Sequence, residues 1–65
     1  MDAVNLAQHL LKSLRERKER MGEALLNGSI ATMDEYRFVV GQIRGMTYAE
    51  DEIRAAMKGM EENDD

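Results

Sequence analysis

Hydrophobic residues recur at intervals of three and four along the first part of the chain, as they do on one stripe of an α-helix. Leu11 lies beside this stripe, and the charged Arg17 and Lys18 interrupt it. Their aliphatic stems can cover apolar surface while the charges reach water. The pattern predicts a first helix over about residues 2–27, with a stripe formed by Ala3, Ala7, Leu10, Leu14, Met21, Ala24 and Leu25.

A turn signal follows this stripe at Asn27-Gly28-Ser29. Glycine is well suited to the left-handed conformation that ends many helices. Thr32 and Glu35 then have the spacing of a capping box, with Thr32 at the N-cap and Glu35 at the third helical position. These signals predict a turn over residues 28–32 between two helices.

The second half of the chain contains a heptad pattern. Seven of eight heptad positions are apolar, which is typical of packed helices. The pattern predicts a helix over about residues 33–60 and an acidic tail over residues 61–65, because acidic side chains oppose the helix dipole at a C-terminus. The two heptad series are Tyr36, Ile43, Glu50 and Met57, and Val39, Met46, Ile53 and Met60.

Two glycines leave the course of this second helix open. Gly45, Thr47 and Glu50 also fit a stop followed by a second capping box, which would produce three helices. The unbroken heptad favours one helix. Gly41 and Gly45 then mark either a close contact between helices or a hinge, because glycine weakens a helix interior.

Two long helices joined by a short turn are expected to fold back on each other. The charge distribution favours this topology. Residues 1–20 contain five basic and three acidic side chains, whereas residues 46–65 contain two basic and seven acidic ones. We therefore predict an all-α fold, an antiparallel two-helix hairpin that forms a single domain over residues 1–65.

Length and composition limit the classes of protein to which the chain can belong. The chain has 65 residues, a net charge of -4 and no Cys, Pro or Trp, so it has a small core and no disulfides. It has no apolar run near the ~20 residues that a membrane span needs, and no export signal. The expectation is an intracellular soluble protein with no membrane partner.

A lone hairpin buries only one side of each apolar stripe, and for a chain of this size burial and chain entropy nearly cancel. We therefore expect a homo-oligomer, with a dimer favoured, in which two hairpins form a four-helix bundle. The predicted interface residues are Leu10, Leu14, Met21, Tyr36, Val39, Val40, Ile43, Met46, Ile53 and Met57.

No group of residues points to chemistry. His9 is the only histidine, whereas a metal site or a catalytic histidine needs several convergent partners. The Ser and Thr residues have no triad setting. We expect no catalytic residue, no metal site and no cofactor.

The basic side chains of residues 12–20 alternate with glutamates and lack aromatic neighbours. We interpret this run as a solvated helix face with pairs such as Glu16–Arg20 rather than a nucleic-acid site. The overall acidic charge also opposes binding to phosphates. Nucleic acid is therefore not an expected partner.

Glu50 is the single charged residue of the second heptad. We expect it at the edge of the bundle, near His9 or Lys12. Alternatively, Glu50 sets the register between two chains by pairing with Arg17 or Lys18 of the other chain.

Phe38 falls off the heptad stripe, beside two valines. Two interpretations are balanced. An outward-facing aromatic ring is a candidate contact for a partner. The ring otherwise packs against the turn residues Ile30 and Met33.

Three segments resemble small helical proteins that tailed bacteriophages encode among their head and tail genes. The segments are residues 23–29, 33–37 and 40–45, which read EALLNGS, MDEYR and VGQIRG, and the likeness covers about residues 5–57. The resemblance implies a phage structural protein as partner and a location in the virion or host cytoplasm. It assigns no catalytic residue. The alternative is a small acidic phage regulator or inhibitor that binds a host protein.

Overall fold

Two α-helices pack against each other as an antiparallel hairpin in the computed structural model, which describes residues 2–62. Helix α1 is Ala3–Leu26 and helix α2 is Met33–Glu62. The predicted all-α hairpin is confirmed. Helix α2 continues two residues beyond the predicted end near residue 60, because its backbone hydrogen bonds outweigh the weak dipole penalty of terminal acidic residues. The rest of the predicted acidic tail, residues 63–65, lies outside the described residues.

A side chain caps the start of α1, and a backbone hydrogen bond closes its end. The backbone N–H of Asn5 donates to Oδ1 of Asp2 at 2.8 Å, a cap that the sequence analysis missed. At the other end, the N–H of Asn27 donates to the carbonyl of Glu23. Gly28 follows with φ at 81°, which confirms the predicted left-handed turn.

The start of α2 follows the predicted capping box in part. The backbone N–H of Glu35 donates to Oγ1 of Thr32 at 3.1 Å, as predicted. The Glu35 carboxylate, however, accepts from the N–H of Ala31 at 3.2 Å, one residue earlier than a standard box. These two bonds tie the turn to the first turn of α2.

Helix α2 runs without a break through Gly45 and Thr47, so the three-helix alternative is wrong. Both Gly41 and Gly45 are exposed, and a Cβ at either position would meet no atom within 4 Å. They therefore form no close contact with α1, and α2 is not broken at either of them. The helix persists across them because heptad side chains on both sides of the glycines are half-buried.

Most of the half-buried or buried side chains form two series with alternating spacings of three and four residues, which we call the seam. Leu11 belongs to this seam, whereas the predicted Ala3 and Leu10 are exposed. The predicted stripe is thus correct at Ala7, Leu14, Met21 and Leu25 and wrong in placing Leu10 rather than Leu11 between the helices. The seam consists of Val4, Ala7, Leu11, Leu14, Lys18, Met21 and Leu25 on α1, and of Val39, Ile43, Met46, Glu50, Ile53 and Met57 on α2.

The hairpin buries few side chains. Among the side chains that the structure describes, only Ala7 and Glu50 are buried, and no large side chain is completely enclosed. The apolar side chains of the seam are covered on one side and reach solvent on the other. The fold is therefore equivalent to one half of a helical bundle.

Candidate functional site

An ion pair joins the two helices within the seam. Nζ of Lys18 donates to Oε1 of Glu50 at 2.6 Å and to Oγ1 of Thr47 at 2.8 Å. The Glu50 side chain is 4% exposed and that of Lys18 is 26% exposed. Each is the single charged residue of its helix in the seam, so the two interruptions of the apolar pattern meet each other.

The expected position of Glu50 at a bundle edge near His9 or Lys12 is wrong. Its carboxylate is buried between the helices, where an unpaired charge would be strongly disfavoured. The alternative interpretation named Lys18 as a partner, but in another chain. The fold supplies Lys18 from the same chain, because the antiparallel arrangement brings the middle of α1 beside the middle of α2.

Further positive charges surround the Glu50 carboxylate. A terminal nitrogen of Arg54 lies 3.8 Å from Oε2 of Glu50, and another lies 3.6 Å from Oδ1 of Asp51. The hydrogen bond from Lys18 lowers the pKa of Glu50 below its ordinary value, against the opposing effect of desolvation. The charges of Lys18, Arg54 and Arg15 lower this pKa further. Glu50 is therefore ionised at neutral pH.

Acidification is expected to weaken the hairpin through Glu50. Because the pKa of this carboxyl is lower in the folded chain than its ordinary value of 4.5, the unfolded chain takes up the proton first. The stabilisation is complete above the unfolded pKa and is lost as pH falls through the folded pKa. The measurement is the free energy of unfolding against pH, for the wild type and for Glu50→Gln, which cannot titrate at this position. Equal pH dependence of the two proteins below about pH 5 would contradict this role.

The contacts of Lys18 also show how the two helices are rotated. Thr47 and Arg54 lie on one flank of the α2 seam, because successive helical residues point about 100° apart. Arg15 lies on the matching flank of α1, and Lys18 reaches Thr47 from that helix. These flanks therefore share one broad side of the hairpin, which we call the polar side.

The opposite flanks share the other broad side, which we call the apolar face. Leu6 and Leu10 of α1 are 49% and 42% exposed there, and Phe38 and Met60 of α2 are 65% and 38% exposed. On α2 the small residues Ala49 and Ala56 lie between larger apolar ones, whereas on α1 Arg17 lies between Leu10 and Ala24. The apolar face consists of Leu6, Leu10 and Ala24 on α1, and of Phe38, Met46, Ala49, Ile53, Ala56 and Met60 on α2.

The predicted interface residues divide between the seam and the surface. Leu10 and Tyr36 are exposed. The others are half-buried, so their open sides remain accessible, and their role in association stays a prediction. The half-buried residues are Leu14, Met21, Val39, Val40, Ile43, Met46, Ile53 and Met57.

The sequence analysis did not include Leu6, Ala49 or Met60 among the interface residues. Their signal was nevertheless present, because each is an apolar residue on the flank of the seam that faces away from Arg15, Thr47 and Arg54. Phe38 also lies on this flank, and both Phe38 and the neighbouring Met33 are more than 60% exposed. The interpretation of Phe38 as a partner contact is thus consistent with its open ring.

The other residues with candidate roles do not come together as a site in the fold. Glu16 pairs with Lys12 at 4.0 Å and not with the predicted Arg20, so that part of the prediction is wrong. His9 is exposed. Among residues 2–62, no three His, Cys, Asp or Glu side chains converge as metal ligands, and no pocket forms.

Comparisons with known proteins place this chain in no family. No family model matches the chain, and no similar curated protein or solved structure was found. Neither helix in the described part of the chain has the length and apolar character needed to cross a membrane. The two distinctive features of the hairpin are the buried ion pair and the apolar face.

Proposed function

We propose that this protein is a non-catalytic interaction protein that self-associates, with two hairpins packing their apolar faces together into a four-helix bundle. The observation that carries the proposal is the apolar face itself. Single exposed apolar residues are common on protein surfaces, but several large exposed apolar side chains grouped on one side of a molecule are typical of an interface. A second copy supplies a surface of the same shape and chemistry.

The exposed surface area of the chain is consistent with binding of a second copy. The chain exposes 5186 Å² at a mass of 7.4 kDa. A compact monomer of this mass exposes about 4200 Å², so the excess is about 1000 Å². A stable protein interface covers about 800 Å² on each partner. The excess exposed area of the chain is therefore similar to the area that one partner buries in a stable dimer.

The shape of the chain agrees with this argument. Its radius of gyration is 15.2 Å and its longest extent is 53 Å. A compact domain of this length has a radius of gyration of about 11 Å. Pairing through the broad apolar face would thicken the molecule across its thinnest dimension, which is 13 Å. The charged polar side of each hairpin would then face solvent, so association would stop at two copies.

The proposed setting is the virion or the assembly pathway of a tailed bacteriophage, in which the dimer contacts a structural protein. The likeness of residues 23–29, 33–37 and 40–45 to small helical phage proteins supports this setting. Recovery of the chain in stoichiometric amounts from purified virions is the expected result. Its absence from virions would contradict the virion component.

The alternative function is an acidic regulator or inhibitor that binds a host protein. The acidic character of α2 favours it, since that helix has seven acidic and four basic residues. An acidic surface can occupy a basic groove. Stoichiometric co-purification with a host enzyme, together with absence from virions, would favour this alternative.

Self-association is tested by matched leucine substitutions. Leu10→Glu places a charge on the apolar face and is expected to raise the dimer dissociation constant at least ~30-fold, since a symmetric dimer contains the change twice. Leu26→Glu is the control, because Leu26 is 90% exposed and lies off the apolar face. Sedimentation equilibrium from low to high micromolar concentration measures both constants.

The outcome of this experiment is clear in either direction. A wild-type mass of twice 7.4 kDa, lowered by Leu10→Glu and unchanged by Leu26→Glu, supports the proposal. A folded wild-type chain that stays monomeric up to high micromolar concentration would overturn it. Equal effects of the two substitutions would show that association uses another surface.

A further inference from the structure

The two helices carry opposite net charges. Helix α1 contains five basic and three acidic residues, whereas α2 contains four basic and seven acidic ones. Two hairpins can pack their apolar faces about a two-fold axis in two ways. In the same-end dimer, both turns lie at one end of the bundle, and α1 of each copy lies on α2 of the other. In the opposite-end dimer, the turns lie at opposite ends, and each helix lies on its own counterpart.

We propose that the protein forms the same-end dimer, an inference that rests on the proposed function. The same-end dimer places each positive α1 against a negative α2 of the other copy. The opposite-end dimer places α1 against α1 and α2 against α2, so like charges meet along both contacts. Charge complementarity of this kind selects the orientation of an interface more than it adds affinity.

Three charged residues on or beside the apolar face carry this selection. Arg17 lies between Leu10 and Ala24 on the α1 side of the face, Arg20 lies on its outer border, and Glu52 lies on the α2 border. All three are exposed, and none belongs to an ion pair within the described part of the hairpin. Their charges are therefore available to a second copy.

The positions of these residues along the long axis of the hairpin fit the same-end dimer. Lys18 contacts both Thr47 and Glu50, so the middle of α1 lies level with this part of α2. Arg17 is consequently within about one helical turn, roughly 5 Å, of the level of Glu52, and Arg20 lies three residues further along α1, roughly 6–8 Å from that level. A two-fold axis parallel to the helices preserves these levels, and both arginines of one copy then face Glu52 of the other.

The chain allows a direct measurement of the orientation because it contains no Cys. Ala31→Cys introduces one thiol in the exposed turn for a spin label. The distance between the two labels is measured by double electron–electron resonance in the full-length dimer. In the same-end dimer this distance is set by the cross-section of two hairpins, each 18 × 13 Å. In the opposite-end dimer it approaches the 53 Å length of the hairpin.

The possible outcomes distinguish failure of the same-end arrangement from failure of self-association. A short distance in a dimer supports the same-end arrangement. A distance near the hairpin length overturns this arrangement and leaves self-association standing. A labelled and unlabelled chain that are both monomeric at high micromolar concentration overturn the inference and the proposed function together.

Charge reversal supplies a second measurement that does not depend on labelling. Glu52→Arg alone, or Arg17→Glu with Arg20→Glu, is expected to weaken the dimer about fivefold, because like charges then face each other. The triple variant that combines these changes is expected to recover wild-type affinity. Additive weakening in the triple variant would overturn the proposed pairing.

Discussion

Replacing Lys18 by Met is expected to destabilise the hairpin and to lower its melting temperature by roughly 10 °C or more. The substitution keeps most of the side-chain volume but removes the short hydrogen bond to the buried Glu50 carboxylate and leaves only the more distant Arg54, at 3.8 Å, as a charged partner. Replacing both residues, in Lys18→Met with Glu50→Leu, is expected to restore wild-type stability or exceed it, since buried ion pairs are often matched by apolar residues. Thermal unfolding followed by circular dichroism at one fixed protein concentration measures all of these variants.

The matched control for this prediction is Lys12→Met. The Lys12 side chain is 70% exposed and its ion pair with Glu16 is at the surface, so the same substitution there is expected to change stability by less than about 0.5 kcal/mol. An equal effect of the two substitutions would show that the buried pair does not stabilise the hairpin. A double variant less stable than Lys18→Met alone would contradict the explanation by an unpaired charge.

The same chemical change at two glycines is expected to have opposite effects. Gly28→Ala is expected to cost ~1 kcal/mol or more, because Gly28 has φ at 81° and a Cβ disfavours that conformation. Gly41→Ala is expected to stabilise by ~0.5–1 kcal/mol, because it lies within α2 and its surroundings are open. Urea unfolding at one fixed concentration measures the free energy of unfolding of each variant.

Gly28→Asn provides the control for the turn. Asparagine tolerates the left-handed region better than alanine does, so this variant is expected to lose less stability than Gly28→Ala. A stabilising effect of Gly28→Ala would contradict the role of the turn. A destabilising effect of Gly41→Ala would indicate that this surface of α2 is covered in the assembled protein.

The local signals of the sequence predicted much of the fold. The stop at Gly28 and the cap at Thr32 depend on residues that are neighbours in the chain, and both are confirmed. The continuity of α2 was also predictable, since a heptad pattern spans the glycines that otherwise indicate a break. Asp2 was the missed local signal, although an aspartate directly before a helix is a common cap.

The candidate site was predictable only in part, because it depends on which residues face each other. Lys18 and Glu50 are 32 residues apart in the chain, and each taken alone is an interruption of an apolar pattern. Leu10 and Leu11 are neighbours with the same side chain, and periodicity alone assigned the wrong one to the seam. Both errors arise because a helix offers several adjacent stripes, and only packing against a second helix selects one.

The sequence by itself determined the two helices, their turn and their antiparallel return, because caps, glycines and periodicity act between residues close in the chain. Only the tertiary structure decided that Lys18 meets Glu50 and that Leu6, Leu10, Phe38 and Met60 share one broad side. Both facts follow from the rotation and register of one helix against the other. That choice depends on the summed packing of the whole seam and not on any local signal.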